Sequence, residues 1–219
     1  MSIKLVQTAS SVTSGTSASA TFASNVSNNN LIVMISGTAT TGAAAAAAFA
    51  PSGSGWTATG SITTSGNNVL KAWWRYANPS DGLTYSVVSG LSTINIYLFE
   101  LTGIDLSVFT IGVGSGSAAL ALTSTASVIP SGPGFERFLI GAIWAQGGAM
   151  TSPSISTANW TNMALVSGNR SHSGYRKIVS ENNSLYDVTF VWTSTNRVTC
   201  TLLLGFWGVK TDLSLLGTG

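Results

Sequence analysis

The chain is expected to be all-β, an antiparallel β-sandwich of jelly-roll or immunoglobulin-like type built from two pseudo-repeats. Three observations predict this. Short apolar or alternating runs recur between turn clusters of Gly, Asn, Ser and Pro. Two long apolar strands, Thr93 to Ile104 (T-I-N-I-Y-L-F-E-L-T-G-I) and Val198 to Val209 (V-T-C-T-L-L-L-G-F-W-G-V), each close on a Gly followed by a β-branched residue. The segments between them match in order at a spacing of about 105 residues, the mark of an internal duplication.

Taken in order, Ile3 to Gln7 reads as a first strand, and Ala18 to Phe22 as a second after a Ser/Thr/Gly/Ala loop. Asn28-Asn29-Asn30 makes a turn. Leu31 to Ile35, L-I-V-M-I, is apolar on both faces, which places it centrally in a sheet. The alanines from Ala43 to Ala48 lie between Gly42 and Pro51, so a surface loop is expected there rather than a helix. A strand after Trp56 leads to a turn at Gly66-Asn67-Asn68.

In the strand Val69 to Tyr76, V-L-K-A-W-W-R-Y, side chains alternate: Leu70, Ala72, Trp74 and Tyr76 share one face, Lys71, Trp73 and Arg75 the other. The first set reads as core and the second as an outward Trp between two cations. Pro79 to Gly82 is a turn, and Leu83 to Val88 and Thr93 to Thr102 complete a first half of about seven strands.

The pattern then restarts. Val108 to Val113 echoes Ile3 to Gln7, Thr125 to Ile129 the second strand, and Phe138 to Trp144 the run Leu31 to Ile35. Asn159-Trp160 matches Gly55-Trp56, Thr189-Phe190 matches Thr84-Tyr85, and Gly208-Val209 matches Gly103-Ile104. The halves are therefore 1–105 and 106–209, with a short tail 210–219. They form either two tandem immunoglobulin-like sandwiches or one larger sandwich; the short apolar link Gly103 to Leu106 favours one compact unit.

Composition limits function. Charged residues are 7% of the 219, against roughly 25% in an ordinary soluble domain, with Ser, Thr, Asn and Gly in their place. Such a surface can be buried against neighbours at low desolvation cost. A formal net charge of +2 is too small for a phosphate-neutralising stripe, so nucleic acid is set aside. Cys200 and His172 are the only Cys and His, leaving no metal-ligand set; no cofactor is expected. Cys200, inside a strand pattern, reads as a buried small apolar residue. The start M-S-I-K-L-V-Q-T has no signal-peptide core and no run is long enough to span a membrane, so synthesis in a host cytoplasm without membrane association is expected.

The chemistry available is thin. Glu100 follows Ile94, Ile96 and Leu98 on one strand face, but glycosidase chemistry needs a second carboxylate and the equivalent later position is Gly205. It reads as a strand-end charge, solvated or paired with an Arg. Nucleophile-elbow, phosphate-loop and dinucleotide motifs are absent, and the chain is not expected to be an enzyme. Asn169 to Lys177, N-R-S-H-S-G-Y-R-K, concentrates basic charge. With Tyr175 matched to Trp73 across a small gap, Lys71, Trp73, Arg75, Arg170, Tyr175, Arg176 and Lys177 form the candidate binding surface, aromatics bordered by cations suited to a sugar ring or a protein interface. Trp56, Trp144, Trp160, Trp192 and Trp207 read as core.

The duplicated pattern of L-I-V-M-I, G-W, the Trp/Tyr strand and L-F-E-L-T-G-I, followed by F-L-I-G-A-I-W to F-W-G-V, resembles β-sandwich domains of tailed-phage virion proteins and related bacterial surface proteins. The ending E-x-x-G-[I/V] at Glu100 to Ile104 is its most family-like piece. The resemblance implies a non-catalytic structural or adhesive protein. Without heptads or collagen-like repeats for a stalk, it points to a capsid decoration, or cement, protein at the capsid surface of the virion. Such proteins are usually trimers that clamp major capsid subunits, and Thr8 to Ser19 would serve as an arm that orders on assembly. The alternative it leaves open is a carbohydrate- or receptor-binding module of a tail, a fibre or a bacterial surface, using Trp73 and Tyr175 on surface glycans.

Overall fold

The computed structural model describes residues 2–39, 47–63, 68–88, 93–104, 110–129, 136–145, 150–163, 170–179, 185–193 and 197–208. The first half contributes β1 (Lys4–Thr13), β2 (Ser17–Thr21), β3 (Leu31–Ala39), β4 (Ala50–Pro51), β5 (Thr57–Thr63), β6 (Asn68–Tyr76), β7 (Thr84–Val88) and β8 (Ile94–Thr102). The second contributes β9 (Thr110–Ala121), β10 (Thr123–Val128), β11 (Glu136–Ala145), β12 (Thr151–Ile155), β13 (Thr161–Asn162), β14 (Ser171–Ile178), β15 (Tyr186–Thr193) and β16 (Arg197–Gly208). The fold is an all-β antiparallel sandwich, with eight described strands per half rather than seven. In the first half the strand missed is β4, whose two residues are too short to leave a periodic signal; its counterpart in the second half is β12.

Strand order shows the pseudo-repeat directly. The first half forms a sheet β1-β8-β3-β6-β5 and a smaller sheet β2-β7-β4; the second forms β9-β16-β11-β14-β13 reading from its other edge, and β10-β15-β12. Each order in the second half is that of the first with every strand number raised by eight. Strands 1, 8, 3 and 6 in one sheet against 2, 7 and 4 in the other is jelly-roll connectivity, not the immunoglobulin order.

Each half closes its own two-sheet sandwich, and the two five-stranded sheets then pack face to face, giving four layers with three apolar seams. The first sandwich is filled by Phe22, Ile32, Met34, Phe49, Trp73, Ile96 and Leu98, and the second by Leu139, Ile143, Val188, Phe190, Trp192 and Leu203. Between the halves lie Val33, Ile35, Tyr97, Phe99 and Leu101 against Phe138, Ile140, Trp144, Leu202, Leu204 and Phe206. β3, β8 and β11 are therefore buried along nearly their whole length on both faces, which is why they read as continuous apolar runs. β10 and β15 have one wet face and alternate.

Three expectations are corrected or bounded here. Thr8 to Ser19 is not a loose arm: Thr8 to Thr13 pair with Phe99 to Ile94 of β8, and Ser17 to Ser19 pair with β7. Its Ser/Thr content has the composition of a disordered segment, but Ala9 and Ala18 pack into the first sandwich and Val12 against the central seam. Of the alanine run, Ala47 and Ala48 are helical. Ala43 to Ala46, the turn at Gly66 and Asn67, the link at Asp105 and Leu106, Asn169 and everything after Gly208 lie outside the described residues.

Polar ties cross between the halves at both ends of the central seam. The Tyr97 hydroxyl lies 2.9 Å from Ser171 Oγ, and burial raises its phenol well above the usual tyrosine range. At the other end Glu136 accepts from Ile3 N (2.8 Å) and Ser2 Oγ (3.0 Å), and Lys177 Nζ donates to Ile3 O (2.8 Å). Burial opposes ionisation of Glu136, but the Ile3 amide, the Ser2 hydroxyl and Lys177 outweigh it and hold the carboxyl below its usual range. A lowered folded pKa means this tie is in place above the ordinary carboxylate range and is lost as pH falls through the folded value.

Gly103 makes that junction possible. Its φ is +79°, and a Cβ there would fall on the Ser2 carbonyl oxygen. Gly103→Ala is expected to lower unfolding free energy by about 2–3 kcal/mol, from left-handed strain plus displacement of Ser2. Urea denaturation measures it; an unchanged midpoint would show that the N-terminal tie carries little.

Candidate functional site

The candidate residues on β6 do alternate as expected, but the face bearing Lys71, Trp73 and Arg75 points into the first sandwich, not outward. Trp73 is 5% exposed and packs edge-on to Phe49 at 5.7 Å. The smaller sheet covers this face and the other half covers the opposite one, so neither face of β6 is an outer surface. Lys71 Nζ donates to Phe49 O (3.1 Å), and burial lowers its pKa. Arg75 lies between Trp56 and Tyr85, its guanidinium carbon 5.2 and 5.4 Å from the two ring centroids. It donates to Ser54 O (3.1 Å) and forms an ion pair with Asp81, whose carboxylate also accepts from Asn78 N (2.9 Å). Burial, then the negative charge of Asp81, raises the Tyr85 phenol.

The second-half candidates scatter. Register equates Tyr175 with Trp74, not Trp73. Trp74 pairs with Val33 and so with Phe99, while Tyr175 pairs with Ile140 and so with Leu204, the residue matching Phe99. Tyr175 stacks on Phe138 (5.8 Å, 14° between planes) and meets Phe99 edge-on, inside the central seam. Lys177 shares that face and holds the N-terminus, whereas Arg176 lies on the opposite face of β14. Arg170 precedes β14 at its far end, its carbonyl accepting from Ala145 N (2.7 Å). The seven residues therefore do not assemble into one surface.

Glu100 was expected to be solvated or paired with an Arg, and it is neither. It is fully buried, with Oε1 accepting from Ser27 N (2.8 Å) and Asn30 Nδ2 (2.6 Å) and Oε2 from Gln7 Nε2 (2.6 Å). Gln7 reaches it because the β1–β8 register slips at Val6, a bulge that turns Gln7 onto the Glu100 face. Gln7 also bonds Ser24, so one carboxylate organises the loop 22–30 that closes this end of the first sandwich. The three apolar residues that precede Glu100 on its face were the available sign of burial; its donors come from 70 to 93 positions away in sequence and left none.

His172 is likewise internal, 1% exposed, edge-on to Phe190, with Nε2 2.7 Å from Asn162 Oδ1. Cys200 is buried, its Sγ 3.5 Å from Asn68 O. Among the described residues no group of three His, Cys, Asp or Glu side chains is placed to hold a metal ion.

The six strands of the two smaller sheets are different in character. Asp187 is the single charged residue on them. Their exposed faces carry cross-strand hydroxyl pairs: Ser19 with Ser86 (2.7 Å), Thr21 with Thr84 (2.9 Å) and Thr125 with Thr189 (2.9 Å). No protein-family model, curated protein or solved structure gives a significant match to this chain.

Proposed function

We propose that the chain is a non-catalytic structural subunit of a phage virion, of the capsid decoration type, whose outer sheets are buried between shell proteins. The observation that carries this reading is the charge distribution: apart from Asp187, every charged strand residue belongs to the two inner sheets, and the outward faces are hydroxyl ladders. Desolvating paired hydroxyls costs far less than desolvating ions, and they can exchange partners with a neighbouring backbone. The four-layer stack is the stiff spacer that such a position needs. The glycan-stacking alternative loses its residues, because Trp73 and Tyr175 both lie inside apolar seams.

The test is addition of the purified protein to capsids assembled without it. Co-sedimentation is expected, with a higher temperature for shell disruption and new density over the capsid surface by cryo-EM. Absence of binding to shells, or density confined to a tail tip, would overturn the reading.

A further inference from the structure

The second sandwich contains a histidine whose surroundings offer no acceptor for a second N–H. Asn162 Oδ1 accepts from Ile155 N (2.9 Å), which identifies that atom as the amide oxygen. His172 Nε2, 2.7 Å from the same oxygen, must therefore be the protonated nitrogen, and Nδ1 is the bare one. Nδ1 is buried and has no hydrogen-bond partner.

The surroundings offer nothing to an imidazolium. The inner faces of β10, β12 and β13, and of β16 from Thr199 to Gly205, carry no titratable group among the described residues. β11 brings Arg137, β14 brings Arg176 and β15 brings Tyr186, all toward the other end of the sandwich; Asp187 on β15 points outward to Thr157. Burial disfavours a charged ring there, and no carboxylate on these inner faces is placed to offset it.

We propose that His172 and Asn162 form an acid-released latch: protonation at Nδ1 drives the ring out of the seam, breaks its bond to Asn162, and frees β12 and β13 from β14. Asn162 is the hinge point because its one oxygen holds both β12, through Ile155, and β14, through His172. Close packing makes the response a release, not a local adjustment. A Cβ at Gly174, two residues along the same face, would meet Ile155 Cδ1 at 2.5 Å and Thr161 O at 2.7 Å, so β14 is tightly packed against β12 and β13 beside the ring. The first sandwich does not share the device. Register places Lys71 where the second half has His172, and its ammonium donates to Phe49 O. Acid should therefore loosen one sandwich and leave the other closed, a property separate from the capsid reading above.

Hydrogen exchange at pH 7 and pH 5, corrected for the intrinsic pH dependence of exchange, tests this. Burial lowers the His172 pKa from 6.5 to about 4, so opening to a normally titrating ring should become about 20-fold more favourable at pH 5 than at pH 7. The acceleration is expected at the amides of Ile155, Met163 and Ser173, not in β3, β6 or β8, and is expected to vanish in His172→Gln, which keeps a donor for Asn162 and cannot charge. Equal acceleration in the variant, or acceleration shared by both sandwiches, overturns the proposal. Should the variant not fold, nitrogen NMR of the single histidine decides. A neutral ring protonated at Nε2 at pH 7 supports the latch; protonation at Nδ1, or an ordinary titration midpoint near 6.5, refutes it.

Discussion

Glu100→Ala is expected to lower the unfolding free energy by about 4 kcal/mol. The carboxylate is fully buried, and its removal strands three donors at once: the Ser27 amide, the Asn30 side chain and the Gln7 side chain. Hydrogen bonds to a charged acceptor contribute roughly 1.5–3 kcal/mol each, and donors left buried without partners add their own desolvation penalty. Glu100→Gln separates the charge from the shape. Its amide nitrogen must face Gln7, and Gln7 can turn its own oxygen toward it only by giving up Ser24. About 2 kcal/mol is expected for that variant. Chemical denaturation of both proteins checks the pair, with proteolysis near Ser24 to Asn30 reporting whether the loop opens. A Glu100→Ala protein as stable as the parent would mean that the loop is closed by something else.

Trp73→Ala is expected to cost a similar amount, about 4 kcal/mol, with loss of cooperative unfolding in the first sandwich. The indole fills the seam between the two sheets of that sandwich and supports Phe49, whose carbonyl in turn holds Lys71. A surface aromatic truncated to alanine would change stability by no more than about 0.5 kcal/mol. The measurement therefore separates a core role from a ligand-stacking role. A fully stable Trp73→Ala protein that had lost glycan binding would restore the carbohydrate reading.

Some of the molecule was plain in the linear pattern. Leu31 to Ile35 is apolar at every position, and β3 is the middle strand of its sheet. Alternation correctly divided β6 into two faces. What alternation lacks is a sign for solvent. Lys71 and Arg75 marked their face as wet, yet their aliphatic stems and neighbouring rings line a seam, and only their polar tips reach carbonyl oxygens at its rim. Matching the halves by sequence also failed at one strand. The spacing between equivalent residues is not constant, so Tyr175 aligned with Trp73 by a gap when its ladder partner makes it the counterpart of Trp74.

The all-β class and the pseudo-repeat follow from local chemistry: a two-residue period, turn residues between runs, and the recurrence of both are properties of neighbouring positions. The jelly-roll order, the burial of β3, β8 and β11 on both faces, the Glu100 hub and the His172–Asn162 latch depend on strands far apart in the chain meeting in one register. Gln7 and Glu100, or Tyr97 and Ser171, carry no mark of each other until the sheets have paired. Long-range pairing is selected by the total fit of apolar faces, and no single residue encodes it. For that reason the polar groups inherit their roles from the packing: the same glutamate or histidine would be a wet surface charge had the other sheet not closed over it.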